Sequence, residues 1–131
     1  MFRFDLSGYH IDTTIHRATL SMDLAPDGMS ATHGIVAGVL DTQELTEAIR
    51  KVAGKISPSL CTGSTVVSLF QQIAQASDVM NDGTQDVTRT CNGISIGIGF
   101  TASAAKVGAV QPPVQKGADP CAGLVDGGDG G

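Results

Sequence analysis

The sequence predicts an α+β fold in which an antiparallel β-sheet carries two α-helices on one face. Apolar residues alternate with polar ones in the amino-terminal part of the chain and again over residues 94–101, and two segments between them repeat apolar residues with helical spacing. Turns containing Gly or Pro separate these segments. We expect strands near residues 2–7, 9–24, 29–40 and 94–101, and helices near residues 41–54 and 64–81.

The amino-terminal part of the chain is predicted to be strand. Apolar and charged residues alternate over Phe2–Leu6, and a second alternation begins at Tyr9. The apolar positions then shift by one residue, which predicts a β-bulge near His16–Arg17 because such a shift exchanges the two faces of a strand. The tetrapeptide Ala25–Gly28 (Ala-Pro-Asp-Gly) predicts a turn into the next strand.

Capping signals bound the two predicted helices. Asp41 and Glu44 have the spacing of a capping box, so the first helix is expected to begin there and to end at Gly54. The second helix is expected to begin near Ser64 and to stop just after Met80.

The last predicted strand has two dissimilar faces. Isoleucine and phenylalanine alternate with small residues over 94–101, and Gly97 and Gly99 leave the second face almost bare. A bare glycine face predicts that another element packs close to the backbone. We expect residues 1–110 to form a single domain and residues 111–131, which are rich in Gly and Pro, to form a flexible tail.

Composition restricts the classes of function. Charged residues make up 16% of the chain, against about 25% in ordinary soluble domains. A net charge of −5 with scattered Lys and Arg argues against nucleic-acid binding. No apolar run is long enough to span a bilayer, so no transmembrane segment is expected. The first residues do not resemble an export signal, and any signal segment is therefore expected upstream of this chain.

The three cysteines predict a disulfide. None has the Cys-x-x-Cys spacing of a zinc site. We predict a bond between Cys61 and Cys91, because a chain that follows the second helix and doubles back brings them together; a bond closing such a loop is worth about 3–4 kcal/mol. The alternative is three unbonded thiols. Cys121 is expected to bond a cysteine in a missing upstream segment or in another chain.

The loop over residues 78–92 is a candidate calcium site. Calcium prefers six to eight oxygen ligands, which carboxylates and amides supply. The spacing does not follow the EF-hand, and the alternative is helix termination followed by Asx-type turns. The candidate ligands are Asp78, Asn81, Asp82 and Asp86.

Residues 93–97 (Gly-Ile-Ser-Ile-Gly) match the Gly-x-Ser-x-Gly pattern of hydrolases, with Ser95 as nucleophile. The pattern requires a strand-to-helix turn and a later histidine. Ser95 lies inside a predicted strand, and His10, His16 and His33 all precede it. A hydrolase is therefore the third functional interpretation, and the histidines are expected at the surface.

Several segments within residues 30–121, among them Ile56–Cys61 (Ile-Ser-Pro-Ser-Leu-Cys), Met80–Asp86 and Cys91–Phe100, together resemble a group of uncharacterised bacterial envelope lipoproteins. The resemblance implies export, an upstream signal with a lipid-anchoring cysteine, and no catalytic residues. We therefore expect a non-enzymatic structural or binding module outside the cytoplasm, whose partner is a protein or envelope component. A calcium-dependent binding domain using loop 78–92 is the alternative.

Overall fold

A computed structural model describes residues 2–6, 8–113 and 117–123, and it confirms the α+β class. The elements, in chain order, are β1 (Phe2–Leu6), β2 (Tyr9–Thr13), β3 (Ile15–Leu24), β4 (Ser30–Asp41), α1 (Thr42–Ile56), a 3₁₀ turn (Pro58–Cys61), α2 (Ser64–Gln75) and β5 (Gly93–Ser103).

The strands form two antiparallel sheets instead of the single sheet expected. β1 pairs with β2 in a hairpin, and β3, β4 and β5 form a three-stranded sheet with β4 in the centre. The predicted strand over residues 9–24 divides at Thr14, so its two halves belong to different sheets. α1 packs against β2 and β4 and thereby joins the two sheets, while α2 packs against α1 and the 3₁₀ turn.

The predicted β-bulge is confirmed. The pairing of β3 with β4 shifts between His16 and Thr19, and Arg17 takes a positive φ of 52°. The bulge brings the β3 backbone close to Gly38 on β4. A Cβ at Gly38 would lie 2.7 Å from the carbonyl oxygen of His16 and 2.5 Å from Cγ2 of Ile15. The bulge and this glycine are therefore required together.

The local signals for the hairpin turn and the helix cap are also confirmed. The N–H of Gly28 donates to the carbonyl oxygen of Ala25 at 2.9 Å, with Gly28 at a φ of 68°. The Asp41 carboxylate accepts two N–H groups of the first turn of α1, at 2.9 and 3.0 Å. The reciprocal half of the capping box is not formed, because the Glu44 carboxylate lies 3.0 Å from Nε2 of His16 instead.

Both helices end away from their predicted positions. α1 continues through Gly54 to Ile56. α2 stops at Gln75 because the chain leaves the helix to pair with β5: the N–H groups of Asp78 and Val79 donate to the carbonyl oxygen of Gly93, at 3.0 and 3.2 Å. The predicted end near Met80 is wrong for this reason.

A buried disulfide joins Cys61 to Cys121, with a Cα–Cα distance of 5.5 Å. The predicted bond from Cys61 to Cys91 is therefore wrong, and Cys91 is a free thiol. The carbonyl of Asn92 accepts the N–H of Thr42, which holds Cys91 near the start of α1. The disulfide contacts α1 at Gly54. Gly54 lies 12 positions, or about 18 Å, along the helix from Thr42, so Cys91 and the disulfide lie near opposite ends of α1.

Part of the predicted tail is packed against the domain. Cys121 is only 1% exposed, and its N–H donates to the Asp119 carboxylate at 2.9 Å. Lys51 of α1 lies 3.7 Å from Asp119. The prediction that Cys121 bonds a cysteine in a missing segment or in another chain is wrong, because Cys121 is bonded to Cys61. Residues 114–116 and 124–131 of the predicted tail lie outside the described residues.

Gly54 is the position at which α1 meets the disulfide. A Cβ there would lie 2.6 Å from the Sγ of Cys121 and 2.8 Å from the Sγ of Cys61. The glycine therefore has a packing role inside the helix and does not end it.

We expect Gly54→Ala to lower the free energy of unfolding by about 1–3 kcal/mol, although alanine favours helix, because the methyl group overlaps both sulfurs. Urea unfolding measures the change. The control is Gly97→Ala, whose methyl group enters open space and should not lower stability, because glycine inside a strand is about 0.5–1 kcal/mol less favourable than alanine. Wild-type stability in Gly54→Ala would contradict the close packing.

Candidate functional site

Two aspartates of loop 78–92 form local turns. The Asp82 carboxylate accepts the N–H and the hydroxyl of Thr84, at 2.9 and 2.6 Å. Asp86 accepts the same two groups of Thr88 at the same distances. These hydrogen bonds, chiefly those from the hydroxyls, hold the pKa of both carboxyls below its ordinary value. They are the Asx-type turns that the sequence offered as the alternative to calcium binding.

Asp78 fastens the start of the same loop to β5. Its carboxylate accepts the Ser95 hydroxyl and, at 2.7 Å, the Ser95 N–H. The hydroxyl bond is the main reason that the pKa of Asp78 is lowered. Ser95 therefore holds the start of loop 78–92 against β5. The described histidines lie against other carboxylates: His10 against Asp5, His16 against Glu44 and His33 against Asp23.

Asn81, the remaining predicted calcium ligand, faces the start of α1. Its side-chain amide donates to Asp41 at 2.9 Å, and its N–H donates to the Asn92 side chain at 2.8 Å. Desolvation of Asp41 raises the pKa of that carboxyl, but the hydrogen bonds from Asn81 and from the helix N–H groups outweigh it, so the pKa is lowered overall. Asn81 thus ties the loop to the cap of α1.

The four candidate ligands, Asp78, Asn81, Asp82 and Asp86, are therefore not brought together. Each makes hydrogen bonds to a different partner. Within residues 2–6, 8–113 and 117–123, no group of three or more His, Cys, Asp or Glu side chains is placed to hold one metal ion.

A groove of about 650 Å³ lies between β2, α1 and residues 117–120. Carboxylates and ammonium groups both line it, and several are already paired: Asp12 lies 2.7 Å from Arg3, and Asp119 lies 3.7 Å from Lys51. Thr13 borders the groove, but its buried hydroxyl has no hydrogen-bond partner among the described residues and is closed to solvent. Five carboxylates line the groove against two lysines, so its described lining carries an excess of negative charge.

The β3–β4–β5 sheet keeps large apolar side chains in solvent. On β3, Leu20 is 60% and Leu24 is 68% exposed, and Ile35 on β4 is 48% exposed. Leu24 pairs with Ala31, at the end of the sheet remote from α1. Leu20 pairs with Val36 and Ile35 pairs with Ser21, so Leu20 and Ile35 lie on opposite faces of the sheet. Each face therefore exposes a large apolar side chain, and exposed apolar surface often marks a binding surface.

The alternation predicted for β5 is confirmed, but its glycine face is uncovered. Ile94, Ile96 and Ile98 are partly buried, whereas Gly97 and Gly99 are exposed. A Cβ at Gly97 would meet nothing within 4 Å, and one at Gly99 would meet only a carbonyl oxygen at 4.0 Å. The prediction that an element packs on this face is wrong for the described residues.

Comparison with known proteins leaves the function to be inferred from this geometry. No protein-family model, curated protein or solved structure matches the chain. Of the helices that the structure describes, none has the length and apolar content of a bilayer-spanning segment. The open sheet is the candidate functional site.

Cysteine variants should separate the disulfide from the free thiol. We expect Cys121→Ala to lower the free energy of unfolding by about 4 kcal/mol, because the bond closes a loop of 60 residues. Cys91→Ala should lower it by less than about 1 kcal/mol, as for a partly exposed side chain. Denaturant unfolding of the unreduced proteins measures both. A larger loss in Cys91→Ala than in Cys121→Ala would contradict the assigned pairing.

Calcium should leave the melting temperature unchanged at millimolar concentration, since the loop carboxylates are held by separate partners and a ligand stabilises only a protein that binds it. Thermal unfolding with calcium, and with magnesium at equal ionic strength as the control, measures this. A calcium-specific rise that disappears in Asp82→Ala would restore the calcium-dependent interpretation.

Proposed function

We propose that this chain is a non-enzymatic structural or binding module of a bacterial exported or envelope protein, and that its β3–β4–β5 sheet is the surface that binds another protein. The exposure of Leu20, Leu24 and Ile35 carries the proposal. Burying an apolar side chain of this size is worth about 1.5–3 kcal/mol, and these side chains retain much of that free energy for a partner.

Three observations support a location outside the cytoplasm. Disulfides persist mainly in oxidising compartments, and this chain holds a buried one between Cys61 and Cys121. The low share of charged residues and the resemblance to envelope lipoproteins agree with export.

No contact favours a hydrolase, because Ser95 donates to Asp78 and the described histidines lie against other acids.

A photo-crosslinking residue at Leu24, introduced in the cells that produce the protein, tests the proposal. We expect adducts with one defined protein, identified by mass spectrometry, because Leu24 lies on the apolar surface. The matched control is Val107, which is 100% exposed but lies outside the sheet. Yields at Leu24 no higher than at Val107 would overturn the binding role. Reduced Cys61 and Cys121, trapped by alkylation at lysis, would overturn the exported location.

A further inference from the structure

We propose that β5 pairs with β5 of a second copy of this chain, in antiparallel orientation, so that two three-stranded sheets become one six-stranded sheet. The inference goes beyond the proposed binding of another protein at β3 and β4, because it concerns β5, the opposite edge of the same sheet. It follows from the backbone groups on the outer edge of β5, from the difference between the two edges of the sheet, and from the sequence of the strand.

The unpaired backbone groups on the outer edge belong to odd-numbered residues. Gly93 and Ser95 hydrogen-bond outward, to the loop that precedes β5. Because hydrogen-bonding groups alternate between the two sides of a strand, the N–H and carbonyl groups of Gly97, Gly99 and Thr101 also point outward. No strand among the described residues pairs with them. This edge is therefore open beyond the loop.

The two edges of the sheet differ in protection. The outer strand β3 has two register shifts and carries His16, Arg17 and Asp23, and bulges and charges are devices that prevent edge-to-edge pairing. β5 contains no charged residue and no proline, and it pairs with β4 without a shift from Gly93 to Phe100. β5 is thus the edge that can accept another strand.

The sequence of β5 complements itself. A two-fold axis at Gly99 pairs Gly97 with Thr101, so the outward-pointing groups of the two copies meet. It also pairs Ile98 with Phe100 twice, on the same face of the joined sheet, and such aromatic–β-branched pairs stabilise sheets. A shift of one residue would oppose Ile98 to a glycine and turn the apolar faces apart.

A second copy fits this edge because the edge complements itself, and the absence of charge on β5 permits the pairing. A two-fold interface requires one surface to complement itself, and β5 does so through its alternation of apolar residues and glycine. The chain carries a net charge of −5, which opposes the association of two copies, so their interface has to avoid adding further repulsion. Residues 93–103 contain no charged residue.

Sedimentation of the purified chain over a range of concentrations tests the pairing. We expect a dimer, and Gly99→Lys should raise its dissociation constant at least about tenfold because two lysines would face each other across the axis. Val107→Lys adds the same charge at an exposed site outside the sheet and should stay within about twofold. Unchanged circular dichroism and melting of the monomer show that Gly99→Lys folds. A monomer at all concentrations, or an unaffected dimer in Gly99→Lys, would overturn the inference.

Cysteine cross-linking tests the register in a Cys91→Ser background. In the proposed pairing the two Gly99 Cα atoms lie about 5.5 Å apart, within disulfide range, so Gly99→Cys should form a dimer under mild oxidation. Two Gly97 residues are offset by four positions, or about 13 Å along the strand, so Gly97→Cys should remain monomeric. Equal cross-linking at both positions would overturn the register. Leu24 adducts with a different protein, together with a monomeric chain, would overturn the pairing but leave the binding role.

Discussion

The disulfide between Cys61 and Cys121 holds one end of this fold together, and Gly54 makes room for it. The 3₁₀ turn and residues 117–123 both reach α1 at this point, and α1 in turn packs against β2 and β4. Few large apolar side chains are buried elsewhere among the described residues. A small core gains much from a cross-link, because the bond removes entropy from the unfolded chain without needing buried area.

The other end of α1 is held by polar contacts instead. Asp41 caps the helix and also accepts the Asn81 side chain, so one carboxylate joins β4, α1 and loop 78–92. Asp78 completes the arrangement by holding Ser95 on β5. Two of the residues that the sequence marks as possible calcium ligands, Asp78 and Asn81, therefore fasten a long loop over the end of the sheet. The lowered pKa values of Asp41 and Asp78 are consistent with this structural role.

Fewer contacts hold the opposite end of the sheet. Loop 78–92 covers β5 only as far as Ser95, and the hairpin of β3 and β4 extends apolar side chains into solvent. One edge is blocked by bulges and charges, while the other is regular and uncharged. A sheet that is rigid at one end and open at the other is suited to pairing with another strand. This asymmetry is the physical basis for the binding role that we propose.

The sequence by itself determined the elements whose signals are local: the β5 alternation, the Ala25–Gly28 turn, the Asp41 cap and the bulge at His16–Arg17. Each depends on residues only a few positions apart. Tertiary structure alone decided the pairing of Cys61 with Cys121, the division of the strands into two sheets and the end of α2. These features depend on which segments come into contact around α1. The spacing of cysteines or apolar residues along the chain does not specify those contacts. The sequence places Pro120–Cys121 in the predicted flexible tail because its flanks are rich in glycine. Only the packing of Cys121 against Gly54 shows that Cys121 belongs to the core.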